Sequence, residues 1–151
     1  MAESKYGKYI IYEPKRNVKM PSFRGGPPPD VKGKTTHMMY LDSEVVEGAP
    51  YSECAWFWPG SGIDQNPGAK TPPGGAHTHP FDEVVAFIGT NPDDPHDLCG
   101  EIEMWLEDEK HLLTKSFMIY IPAGMKHCPL IIRRVDRPIF HFTLGPGKMY
   151  E

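Results

Sequence analysis

No apolar run in this 151-residue chain approaches the roughly 18 residues needed to cross a bilayer as a helix. Its opening residues, MAESKYGKYIIYEPK, lack the apolar core of a secretory signal. Cysteine is scarce. Cys54, Cys99 and Cys128 are odd in number and lack disulfide-framework spacing, which points to reduced thiols. Positive charge is not in excess: 16 basic against 20 acidic residues leave a net charge of −4. With Lys and Arg scattered, the chain has no electrostatic footprint for nucleic acid. A sustained helical period and an internal repeat are also missing. These absences describe a cytoplasmic protein with neither a membrane nor a nucleic-acid partner, and with little helix.

What the chain does have is punctuation and strand formers. Its 17 prolines and 15 glycines make up about a fifth of it, while aromatics reach 11%. Disorder would not carry so many large apolar residues, so a folded, turn-rich all-β protein is expected. Short strands are predicted at Lys8–Tyr12, Thr35–Leu41, Ser52–Trp58, Glu83–Ile88, Glu101–Leu106, Phe117–Ile121, Leu130–Val135 and Pro138–Leu144. In Ser52–Trp58 the alternation puts Trp56 and Trp58 on one face and Phe57 on the other. In Glu101–Leu106 it sets Ile102, Met104 and Leu106 against Glu101, Glu103 and Trp105. The segment 91–100 reads as an acidic insertion and Glu107–His111 as a hairpin tip. Residues 21–34, holding GGPPPD at 25–30, read as a stiff loop with few backbone donors, and 59–75 as a long one. The organisation is then an extended N-terminal arm over 1–34, packed on the barrel or on a partner subunit, and a barrel over 35–151.

Two segments carry the chemistry. Residues 74–84 read GGAHTHPFDEV, and residues 120–128 read YIPAGMKHC. Side chains alternate along a strand, so His77 and His79 share a face, and Glu83 joins them in register if the strand runs on. Three imidazoles, with His127 from the second segment, and one carboxylate make a plausible transition-metal site.

Both segments resemble the motifs of the cupin superfamily. The first motif, G-x5-H-x-H-x3,4-E-x6-G, is matched at its centre by His77, His79 and Glu83. The second, G-x5-P-x-G-x2-H-x3-N, is matched by Pro122, Gly124 and His127. The edges depart from the pattern: Thr71 and Ser116 replace leading glycines, Gly89 comes one residue early, and Ile131 stands in place of the asparagine. The resemblance is close over about residues 70–145. It implies a double-stranded β-helix, or jelly-roll, and one divalent transition metal per chain (Fe, Mn, Ni, Co or Zn) on His77, His79, Glu83 and His127. It also favours a homodimer, in which the Lys8–Tyr12 strand would reach the partner sheet.

Three roles are open to Glu83: metal ligand, hydrogen-bond support for a ligand histidine, or catalytic base. Asp82, one position out of register, reads as a solvated turn residue. His141 and, less strongly, His37 read as core histidines or supports of the site. His96 and His111 read as surface residues. Cys128 follows His127 directly and should face away from it. Trp56 or Trp58, with Phe87 and Met118, would supply an apolar lining. Arg133, Arg134 and Arg137 read as solvated strand-end charges, one of which, turned inward, would clamp a substrate carboxylate.

Three histidines and a carboxylate leave coordination positions for water or substrate, as a catalytic metal site does. The expected function is a metal-dependent enzyme acting on a small carboxylate or enolisable carbonyl compound. Its chemistry is either that of a non-redox lyase, isomerase or decarboxylase, or that of an Fe(II) dioxygenase. A cupin that binds a metal or small ligand without catalysis is the alternative.

Overall fold

In a computed structural model, residues 4–14, 30–62 and 75–146 are described. The loop residues 21–29, most of the 59–75 loop, and the first-motif position Thr71 lie outside them. Eight strands follow one another: β1 (Thr35–Leu41), β2 (Tyr51–Phe57), β3 (Glu83–Ile88), β4 (Asp97–Leu106), β5 (Glu109–Lys115), β6 (Phe117–Ile121), β7 (His127–Val135) and β8 (Ile139–Gly145). They form a five-stranded sheet, β1-β2-β8-β3-β6, and a three-stranded sheet, β5-β4-β7, with every pairing antiparallel.

The pairings are nested. Strand β2 pairs with β8, the His77 bridge with β7, β3 with β6, and β4 with β5. The chain is thus one long hairpin, turned at Glu107–Asp108 and rolled into two facing sheets. That is the jelly-roll topology, and it is the fold expected from the resemblance. The His77–His127 bridge adds a fourth member beside β7 and completes the smaller sheet.

Alternating residues of the two sheets meet inside. Val85 and Phe87 of β3, Ile121 of β6 and Ile139 of β8 pack against Leu98, Ile102 and Met104 of β4 and Val135 of β7. Each such side chain contributes about 1.5–3 kcal/mol of burial. A second, smaller cluster joins Tyr40 and Tyr51 edge to face, with Phe81 against them. Gly89 lets the end of β3 pass close to β4, since a Cβ there would sit 2.2 Å from the Asp97 carbonyl oxygen.

Three expectations of local structure fail. Lys8–Tyr12 is not a strand: Gly7–Tyr9 forms a 3-10 turn, and Tyr9, Ile10 and Tyr12 stay exposed, so no sheet edge receives them among the described residues. The supposed insertion at 91–100 instead supplies the first residues of β4, whose Leu98 is fully buried. The hairpin tip is shorter than expected, and Glu109–Lys115 is a strand of its own. It lies at a sheet edge and is largely exposed, so its sequence carries no apolar alternation.

Candidate metal centre

The two motifs are stitched together by backbone. The His77 N–H donates to the His127 carbonyl and the His127 N–H to the His77 carbonyl, both at 3.0 Å. The Gly124 N–H donates to the His79 carbonyl at 2.9 Å. Gly124 has φ of 83°, a left-handed turn conformation that glycine adopts without strain. Asp82 adds a side-chain clasp, its Oδ1 accepting from the Ala123 N–H at 2.8 Å. That N–H, with the Tyr120 hydroxyl, holds the Asp82 carboxyl below the usual range. Asp82 is exposed as expected, but it pins one motif to the other.

The histidines are oriented in the same manner. Nδ1 of His79 lies 2.8 Å from the Phe81 carbonyl, Nδ1 of His127 2.8 Å from the Met125 carbonyl, and Nδ1 of His77 3.1 Å from the Gly75 carbonyl. A carbonyl can only accept, so each Nδ1 carries the proton and each Nε2 turns to the other side of its ring. His79 is further held by Phe81, whose ring stacks on it at 4.1 Å.

The donors of His79, Glu83 and His127 lie within 4.8 Å of one another, and all three side chains are buried. The Glu83 Oε2 is 2.7 Å from His79 Nε2 and 3.6 Å from His127 Nε2. His127 is 2% exposed, and its Nε2 has no hydrogen-bond partner. A buried nitrogen lone pair without a donor is costly unless a cation or proton meets it. The donor set therefore fits a transition metal: imidazole nitrogens with fixed tautomers, and one carboxylate. His77 packs edge-on against His127, with ring centroids 4.4 Å apart. Its donor falls in a second group, with those of His127 and Cys128, again within 4.8 Å.

Cys128 contradicts its expected orientation. Its φ of 72° breaks the strand alternation just after His127 and brings its sulfur beside His77 and His127. The arginine expected as a substrate clamp also finds another role. Arg133 is buried, and its Nε donates to Glu103 Oε2 at 2.7 Å, while Trp105 Nε1 donates to Glu103 Oε1 at 2.8 Å. Glu103 and Trp105, on the face of β4 opposite Ile102 and Met104, are completely covered. Arg134 is exposed and pairs with Asp136.

His141 faces inward, stacks on Phe87 at 4.3 Å, and places Nδ1 3.0 Å from the Ala86 carbonyl, as a core histidine does. His37 instead meets Asp30 at 2.6 Å, nearer the surface. His111 lies beside Glu109, and His96 is exposed. Phe87 is a core residue, whereas Met118 is 65% exposed on the outer face, so the two do not line one cavity. Trp56 and Trp58 stack on each other at 5.6 Å, with Trp56 against Phe140. No disulfide joins the three cysteines.

No family model matches the chain, and no curated protein matches it in sequence. Among solved structures, an RmlC-like cupin from Shewanella frigidimarina is 15% identical, with 79% of this chain aligned to 82% of that one at a TM-score of 0.43. KdgF from a Halomonas species is 13% identical, over 76% of this chain and 79% of that one, at a TM-score of 0.40. The DMSP lyase DddQ of Ruegeria pomeroyi is 22% identical, over 69% of this chain and 41% of that one, at 0.38. At these identities and TM-scores the likenesses carry no argument about family or activity. The strand order makes this a jelly roll, and the two motifs on it bring together a buried histidine–glutamate cluster able to hold a metal ion.

Proposed function

We propose that the protein is a metal-dependent enzyme acting on a small carboxylate or enolisable carbonyl compound, with His77, His79, Glu83 and His127 holding one divalent transition metal. The observation that carries this reading is the buried, unpartnered Nε2 of His127, turned toward Glu83 and His79. A bound metal would supply Lewis acidity toward a substrate oxygen, or a site for dioxygen. The chain's own groups do the rest. The backbone acceptors of Phe81, Met125 and Gly75 keep the imidazoles aimed. Glu83 would hold or remove a proton beside them. His77 and Cys128 are the half-buried members, so substrate would enter on their side. Arg133 is committed to Glu103, and a substrate carboxylate would be held at the metal.

Elemental analysis of protein purified without chelator tests the metal. Near one equivalent of Fe, Mn, Ni, Co or Zn per chain supports the reading. Less than about 0.1 equivalent, unrestored by soaking in each metal, overturns it. Oxygen uptake against a panel of carboxylates and enols then separates dioxygenase from non-redox chemistry. A loaded protein that turns over none of them, yet binds one, would be the non-catalytic cupin.

The same reading extends to assembly. The cross-strand register puts Met118, Tyr120, Ile88 and Leu144, all at least 40% exposed, on the outer face of the five-stranded sheet. Phe140, Phe142 and Trp56 continue it. A contiguous apolar face of this kind is an association surface, and its occupant is a second copy in a homodimer. Light scattering near twice 17.0 kDa supports this, and the monomer mass overturns it.

A further inference from the structure

We propose that Cys128 is a sulfur ligand of the same metal centre, which makes the site a mixed nitrogen, oxygen and sulfur one. This inference rests on the metal reading above and goes beyond it.

Two groups of donors share His127, His79 with Glu83 in one and His77 with Cys128 in the other, each within 4.8 Å. His127 is also the side chain whose buried Nε2 has no hydrogen-bond partner. An ordinary strand would carry residue 128 to the face opposite His127. The backbone does otherwise. The His77–His127 bridge anchors the strand start, and the left-handed φ of 72° at Cys128 turns its sulfur back toward the imidazoles. Positive φ is uncommon for a side-chain-bearing residue, and such conformations concentrate at functional sites. Cys128 is half-buried, as is His77, whereas His79, Glu83 and His127 are buried.

Sulfur changes which metal the site prefers. Thiolate is a soft donor and favours Zn(II), Co(II) or Fe(II), whereas a purely oxygen and nitrogen set remains open to Mn(II). Binding converts the thiol to thiolate, with its proton released to solvent, and no oxidant is involved.

Cobalt(II) alone is the probe. Titrated into the metal-free full-length protein, it should give visible d–d bands together with a near-ultraviolet sulfur-to-cobalt charge-transfer band. Cys128→Ser and Cys128→Ala should keep the d–d bands, lose the charge-transfer band, and bind Co(II) at least about tenfold more weakly. Their preference for Zn(II) over Mn(II) should narrow by a similar factor. Wild-type protein that binds Co(II) with d–d bands but no charge transfer would overturn the sulfur ligand and leave the histidine–glutamate centre standing. A band that survives both substitutions overturns it equally, since the sulfur would then belong to another cysteine. If Co(II) does not bind at all, both readings fall. The wild-type spectrum decides even if a variant fails to fold.

Discussion

Arg133 and His127 both belong to β7 and both are buried, yet their surroundings differ in kind. Arg133 meets Glu103, whose other oxygen takes the Trp105 N–H. Charge is matched by charge and donor by acceptor, so the cluster closes on itself. His127 faces a carboxylate at 3.6 Å and a second imidazole, and its Nε2 finds no donor. One cluster is complete within the chain, and the other leaves a buried nitrogen without a hydrogen-bond partner. Burial alone does not distinguish them, but the tally of donors and acceptors does.

Breaking the closed cluster should have the largest effect on folding. Glu103→Ala leaves Arg133 buried without its partner and should cost about 3–5 kcal/mol in urea denaturation, with metal content per folded chain unchanged. Replacing both members, as Glu103→Leu with Arg133→Met, should recover most of the loss. A cost below about 1 kcal/mol for the single change would mean that the pair is not the structural element drawn here.

The open cluster should behave in the opposite way. His127→Ala should destabilise the metal-free protein less than Glu103→Ala does, yet abolish stabilisation by metal. With free metal at about 100 times Kd, wild type gains about 2.7 kcal/mol, and the variant should gain none in melts with and without Zn(II) or Co(II). An equal gain in both would remove His127 from the centre. Glu83→Gln keeps the shape and deletes the charge, so it sharpens the comparison further. Metal affinity by calorimetric titration should fall about 10–100-fold while the fold persists. Unchanged affinity would make Glu83 an ordinary strand carboxylate.

The smallest effect belongs to Asp82, which supports the open cluster from outside. Hydrogen bonding from the Ala123 N–H and the Tyr120 hydroxyl lowers its pKa in the folded state, so the contribution is present above the unfolded value of about 3.9. It is lost as pH falls through the folded value. Asp82→Asn should therefore lower the urea midpoint slightly at neutral pH, and the gap to wild type should close as pH drops below about 3.9. A pH-independent gap would show that the charge of Asp82 contributes nothing.

The legibility of these regions in the sequence was uneven. Thr35–Leu41, Glu83–Ile88 and Phe117–Ile121 coincide with β1, β3 and β6, because runs of β-branched and aromatic residues bounded by turn formers are a local strand signal. Strand β5 was missed, since an exposed edge leaves no such imprint, and Lys8–Tyr12 looked like a strand because apolar residues need not have a sheet to join. The motif histidines were legible from spacing. Glu103, Trp105 and Arg133 were not: alternation sets Glu103 and Trp105 opposite the apolar residues of their strand, Arg133 reads as a solvated strand-end charge, and only the tertiary packing covers them. A glutamate and a tryptophan two apart on one strand face, where an arginine could reach them, was the available signal.

By itself, the sequence determined an all-β chain, and it named four candidate ligands in two motifs, because strand period and metal-ligand spacing are local properties. The tertiary structure decided what depends on approach between distant segments. Nested pairing brought His127 onto His77 and set Glu83 against two imidazoles. A left-handed residue turned Cys128 inward against its strand. The rolled sheet matched Arg133 to Glu103 while leaving one buried nitrogen of His127 unpaired, since hydrogen-bond partners are counted in space and not along the chain.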